Sequence, residues 1–146
     1  MSVSRPAKLY SPALLGLATE LAEYPLGAAM PHTAEVRSRS CGSVIALGLA
    51  LNDGGQVAQI GLRVSACAIG QASATVLARH IAGADPHAIT ATHDAIARWL
   101  AGEGGLPDWP DMSLLAPARD HPGRHGALIL PWKAACMALS SEAACG

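Results

Sequence analysis

The feature that most constrains this chain is a pair of apolar runs either side of a four-residue turn. Val44–Leu51 is unbroken in hydrophobicity, as a central strand should be. Asn52-Asp53-Gly54-Gly55 follows, and these residue types accept positive φ at little steric cost. Val57–Ala66 then alternates, with Ala58, Ile60, Leu62, Val64 and Ala66 on one side and Gln59, Gly61, Arg63 and Ser65 on the other. The reading is an antiparallel hairpin with one buried face. Cys41 and Cys67 each lie thirteen residues from Gly54, so pairing centred on that glycine sets them opposite each other at the open end.

The flanks extend the hairpin into a fold. Ser11-Pro12 has the form of a helix start, and an apolar stripe through Leu14, Leu17 and Leu21 runs towards Pro25. His32–Ser40 alternates loosely and is mostly polar, as an edge strand is. After Cys67 the period changes to that of a helix reaching Gly83. Asp85-Pro86 opens another, expected to bury Ile89, Thr92, His93, Ile96 and Leu100 before Gly102. Asp111 is expected to cap a short helix that Pro117 closes. A last helix is expected from Arg124 or Gly126 to Leu139, with Pro131 as a kink or as its true start. The fold class is therefore α+β: a three-stranded antiparallel sheet with helices mainly on one face, in the order αβββ and then several helices. The 146 residues suit a single domain over 1–146, with 1–8 and 140–146 expected as mobile tails.

Composition excludes several functions. A net charge of −1 with no basic block argues against nucleic acid, as does the absence of Phe, since stacking on bases needs aromatic platforms. No apolar run is long enough to span a bilayer, and no signal peptide is read. No Cys-x-x-Cys spacing occurs among Cys41, Cys67, Cys136 and Cys145, which suits reduced thiols in the cytoplasm. Asp53, Asp94 and Asp120 have no evident partner base, so the chain reads as a non-enzyme. His80, His87 and His93 lack the four-residue spacing of a helical zinc site, and the glycines at 102–105 lack a phosphate-loop context. Trp99, Trp109 and Trp132 read as packing residues.

Cys41 and Cys67 keep two readings on spacing alone: thiolate ligands of a metal or cluster, or small buried hydrophobes. A disulfide is geometrically possible but disfavoured in a reducing compartment. Cys67 directly precedes a helix, where backbone N–H groups and the dipole favour negative charge. Gly42 after Cys41 permits close backbone approach.

At these residues the sequence resembles the U-type iron–sulfur cluster assembly scaffolds, the IscU, SufU and NifU N-terminal type. Cys41-Gly42-Ser43 is similar to the family's Cys-Gly-Asp turn. The segment from Ala66 to Ala74, Ala-Cys-Ala-Ile-Gly-Gln-Ala-Ser-Ala, resembles its Gly-Cys-Ala-Ile-x-x-Ala-Ser-x stretch. Pro122-Gly123-Arg124-His125-Gly126-Ala127, with Trp132 and Ala134 beyond, resembles its C-terminal Pro-x-Arg-x-x-Cys-x-x-x-x-Trp-x-Ala segment. The resemblance implies a scaffold or carrier for a transient [2Fe–2S] cluster or iron, with zinc binding in the isolated protein. Its implied partners are a cysteine desulfurase and apo iron–sulfur proteins.

The match implies two departures. Ser43 stands where the family has Asp, and Ala127 where it has the third cysteine. The candidate metal ligands are then Cys41, Cys67, His125 and Ser43, with Arg124 as a sulfur or partner contact. Cys136, nine residues beyond Ala127, falls on the opposite helix face. A homodimer could supply missing ligands. The competing readings are a persulfide-accepting accessory protein and a degenerate partner-binding module without a cluster.

Overall fold

The computed structural model describes residues 9–27, 30–39 and 42–143, so Cys41, Cys145 and the expected tail at 1–8 lie outside the described residues. Helix α1 (Pro12–Glu20) begins with Leu14 N–H donating to Ser11 Oγ at 3.1 Å, and a 3₁₀ turn (Leu21–Glu23) ends it before Pro25. Strands β1 (His32–Arg37), β2 (Val44–Leu51) and β3 (Val57–Ser65) form one antiparallel sheet in that order. Helices α2 (Ala68–His80), α3 (Pro86–Leu100) and α4 (His125–Ala143) follow, with a 3₁₀ stretch (Met112–Asp120) and a 3₁₀ turn (Pro122–Arg124) before α4. The α+β expectation holds. Among the described residues no helix is long and apolar enough to cross a membrane.

The register departs from the symmetric hairpin. Val44 pairs with Ser65, Leu47 with Leu62 and Ala50 with Gln59, yet Leu51 pairs with Val57. Ala58 is thus an extra residue on β3, a bulge that shifts every later pair by one position. Ala58 is exposed rather than inward, and Val57 is buried in its place. Continued past the strand ends, this register would set Gly42, not Cys41, opposite Cys67. The expectation of pairing centred on Gly54 fails because hydrophobic alternation does not count an inserted residue.

Ile45, Leu47 and Leu49 face inward, under α4, which crosses β1 and β2, while α2 lies along β3. On the other face Gly48 and Gly61 pair directly. A Cβ on Gly61 would lie 2.7 Å from the Pro25 carbonyl oxygen, and one on Gly48 2.6 Å from Met30 Cβ. The two glycines therefore form a recess that seats Leu26 and Met30. Tyr24 accepts the outward Leu62 N–H at 2.8 Å, covering part of the β3 edge. Near the turn, Val57 exchanges bonds with Gly83 and Ala84.

Tryptophans lock the helices together. Trp132 Nε1–H donates to Ser73 Oγ at 3.0 Å, and Ser73 donates to the Leu128 carbonyl at 2.6 Å. Trp109 meets Trp132 edge-on at 4.9 Å and donates to the Val76 carbonyl. All three tryptophans are buried, as expected of packing residues; in α3 the inward set is Ile89, Ile96 and Trp99, while Thr92, His93 and Leu100 are only half-buried.

Other boundaries moved. β1 stops at Arg37, and the 3₁₀ stretch runs through Pro117 to Asp120. Asp111 does not cap it: with φ +68, its carboxylate turns to His80 Nε2 at 2.7 Å and Arg79 Nη1 at 2.9 Å. Pro131 sits inside α4, which continues through Ala143. A proline there removes one ladder bond, and the tight packing of the flanking residues holds the helix regardless.

Candidate functional site

The open end of the sheet is a cleft of about 350 Å³ between three chain segments. The first is the end of the β1–β2 loop, Gly42 and Ser43. This loop closes when Ser38 N–H donates to the Ser43 carbonyl at 2.9 Å and Gly42 N–H to the Ser38 carbonyl at 3.1 Å. Gly42 has φ +75, a conformation that requires little of glycine and much of any other residue. The second segment is Ser65-Ala66-Cys67, where β3 gives way to α2. The third is the start of α4, with Gly123, Arg124 and Ala127.

Cys67 occupies the N-cap position of α2, with extended backbone at φ −68 and ψ 174. An N-cap normally offers an oxygen to the first N–H groups of its helix. Cys67 makes no such bond. Its thiol is free of any disulfide and half-buried at the cleft wall. Close packing positions this helix start: a Cβ on Gly70 would lie 2.7 Å from Ala66 Cβ and 3.4 Å from Ala127 Cβ. Further along α2, Ser73 and its bonds to α4 fix the helix against the opposite wall.

Arg124 reaches the cleft from the α4 side, and its Nε donates to Tyr10 Oη at 3.1 Å. His125 is turned elsewhere. Its Nε2 lies 2.7 Å from the Arg119 carbonyl oxygen, which can only accept, so Nε2 carries the proton. His125 is not part of the cleft lining. Cys136 lies on the α3 side of α4, near Thr90 and Asp94; burial pushes its thiol pKa up. Of the sequence candidates, the cleft gathers Cys67, Ser43, Arg124 and Ala127, with Gly42 as the covalent neighbour of Cys41. Sequence reasoning missed Ser65 and Tyr10, which only the strand register and helix packing bring to the site.

The donor set is sparse: one described thiol, two serine hydroxyls and a guanidinium. Among the described residues no three His, Cys, Asp or Glu side chains stand close enough to hold a metal ion. The cleft brings the Cys67 thiol and Arg124 to one opening, with space for a small inorganic group or the tip of another chain.

A second polar cluster lies on the surface between α1 and α2. Arg79 forms a two-pronged ion pair with Glu20 and a further one with Asp111, while Tyr24 Oη donates to Glu20 at 3.3 Å. Arg79 holds the Glu20 carboxyl below its ordinary value; His80 and then Arg79 do the same for Asp111. Every charge there faces an opposite one, which marks a clasp between elements rather than a reactive centre.

The sequence model of the NifU-like N terminal domain matches residues 9–117. Among solved structures, the chain is similar to a nitrogen-fixing NifU-like protein (N-terminal) from Brucella abortus. The two share 30% identity over 95% of this chain and 97% of that one, with a TM-score of 0.86. A putative iron–sulfur cluster assembly scaffold protein for the SUF system from Fervidobacterium islandicum shares the fold. Its identity is 21%, over 87% of this chain and 93% of that one, with a TM-score of 0.72. No curated protein matches the sequence.

Proposed function

Because the chain belongs to the NifU-like N-terminal domain family of iron–sulfur cluster assembly scaffolds, we propose that it loads sulfur and iron at Cys67 and Cys41. The cargo is a transient [2Fe–2S] unit or iron, the sulfur donor a cysteine desulfurase, and the recipients apo iron–sulfur proteins. The observation that carries this reading is Cys67 at an unfulfilled N-cap in the wall of a cleft that also holds Gly42, Ser43 and Arg124. Cys67 stands at the start of α2, and Arg124 lines the same cleft.

Family resemblance puts a ligand at the places of Ser43 and Ala127, and an ordinary [2Fe–2S] unit takes four. Two cysteines therefore hold the cargo only with donors from outside the chain. A serine hydroxyl is a poor ligand for cluster iron, and Ala127 offers none. This deficit favours a second reading of the same site, as an acceptor of persulfide sulfur. The Cys67 thiolate attacks the terminal sulfur of a desulfurase persulfide. One S–S bond forms on Cys67 as another breaks, the desulfurase cysteine leaves as thiolate, and no net oxidation occurs.

Anaerobic reconstitution with iron and sulfide, followed by iron and sulfide analysis and visible absorption, tests the first reading. Intact mass after incubation with desulfurase and cysteine tests the second through one added sulfur atom. Both signals are expected to disappear in Cys67→Ser. Signals in that variant equal to those of the native chain, or neither signal in the native chain, would overturn the assignment.

A further inference from the structure

Charge is divided unevenly between the two ends of the sheet. At the cleft end stand Arg37, the last residue of β1, Arg39 just beyond it, Arg63 near the end of β3, and Arg124 in the cleft wall. The strands carry one carboxylate there, Glu35, 4.0 Å from Arg37. Around the opposite end lie Asp53 in the turn, Asp85 at the N-cap of α3 and Glu23 after α1. A chain of net charge −1 thus presents a local excess of positive charge beside its thiol.

The arginines share one face. Arg37 lies in the rung with Val44 and Ser65, and Arg63 in the rung with Ala46 and Glu35. Helices α2 and α4 take the other side of the sheet. Leu26 and Met30 cover the Gly48–Gly61 rung, and Leu26 also borders the next one, where Ala46 is buried while Glu35, Arg37 and Arg63 stand exposed. A groove of about 390 Å³ lies there, lined by Leu26, Ala46, Glu35 and Arg63 among others. Arg63 and Arg39 make no ion pair with a described residue.

We propose that this arginine-fringed strip of sheet is the docking face for a different protein that presents carboxylates, and that such a partner, not a second copy, closes the cleft. The proposal rests on the reading of Cys67 as a loading site and names the kind of surface that reaches it. Two copies meeting cleft to cleft would set one arginine fringe against the other, and like charges across an interface oppose association. Nucleic acid fits poorly. The strip is a few rungs long, Glu35 interrupts it, and the exposed large apolar residues Tyr10, Leu15, Leu106 and Met137 all lie off the sheet. A carboxylate-bearing protein face meets the arginines through planar two-pronged pairs and is steered to the thiol by the local field.

The test is isothermal titration of the cysteine desulfurase from the same genome against three forms of the chain. These are the native protein, the double variant R37E/R63E, and R98E, which reverses an exposed arginine on α3. At about 50 mM NaCl the double variant is expected to bind at least ~10-fold more weakly, with the difference shrinking at about 300 mM as salt screens exposed charges. R98E is expected to stay within about twofold of the native affinity. An unchanged affinity in the double variant, salt-insensitive binding, or no complex at either salt overturns the proposal. So does sedimentation of the cluster-loaded chain as a homodimer that survives the charge reversal, or an equal loss of affinity for a duplex oligonucleotide. Loading from iron and inorganic sulfide is measured in parallel. The double variant is expected to load like the native chain; loading in neither form condemns the loading role of Cys67 and not the docking face.

Discussion

Helices α2 and α3 start with nearly the same backbone and opposite chemistry. Asp85 has φ −94 and ψ 167 and accepts the Ala88 N–H at 2.8 Å; Cys67 has φ −68 and ψ 174 and accepts nothing through its side chain. Helix α3 is exposed over much of its length and relies on local devices: an aspartate cap, a proline at its first position and Gly102 at φ +80 past its end. Helix α2 is buried from Ile69 through Ala78, apart from Gln71 at half burial. Its place is set by packing and by Ser73 and Thr75, which donate to carbonyls of α4 and α1. A helix held this firmly by tertiary contacts can do without a cap. The position is then open to a sulfur, at a sacrifice of about 1 kcal/mol.

The strongest way to break this comparison is to remove the tertiary support. Trp132→Ala should destabilise the protein by ~3–5 kcal/mol in urea unfolding, through the cavity it leaves and the loss of the Ser73 partner. If α2 were locally stable like α3, the loss would be much smaller. Ser73→Ala should follow at ~1–3 kcal/mol, since it orphans the buried Trp132 N–H.

The caps come next. Asp85→Ala should destabilise by ~0.5–2 kcal/mol. Cys67→Asp should change stability in the other direction, by up to ~1 kcal/mol, while abolishing sulfur and iron loading. A destabilised Cys67→Asp variant would mean that the thiol contributes packing that an oxygen cap does not replace.

The smallest effect concerns pH. Glu20 and Asp111 have depressed carboxyl pKa values in the fold, so their contribution is complete above the ordinary carboxylate range near pH 4 and is lost as pH falls through the depressed values. Asp111→Asn should flatten the acid limb of a thermal-stability profile and lower neutral stability by ~0.2–1 kcal/mol, as partly exposed ion pairs do.

Much of this contrast was legible in the sequence. Ser11-Pro12 and Asp85-Pro86 mark their helices because cap and proline act within one turn. The three strands show through β1's polarity and β2's unbroken apolar run. What stayed hidden depends on distant parts of the chain. The Ser73–Trp132 bond joins residues 59 positions apart, and nothing local distinguishes Ser73 from a surface serine. Asp111 has the residue type of a cap, but Arg79 and His80 compete for its carboxylate. Pro131 reads as a helix boundary until the surrounding core is known. At the site, Cys67 and Arg124 were legible from motif and chemistry, whereas the hairpin symmetry that paired Cys67 with Cys41 did not survive one bulged alanine.

The glycine pair beneath Leu26 and Met30 bears on the order of assembly. A recess two glycines wide exists only when Gly48 stands opposite Gly61; a slip by one residue would bring a branched or bulky neighbour into line and fill it. The segment after α1 precedes the hairpin in the chain, yet it has nowhere to seat until the hairpin has closed correctly. Its docking therefore works as a check on strand alignment, and a misaligned intermediate would be left with Leu26 and Met30 unburied and with the β3 edge open to other chains.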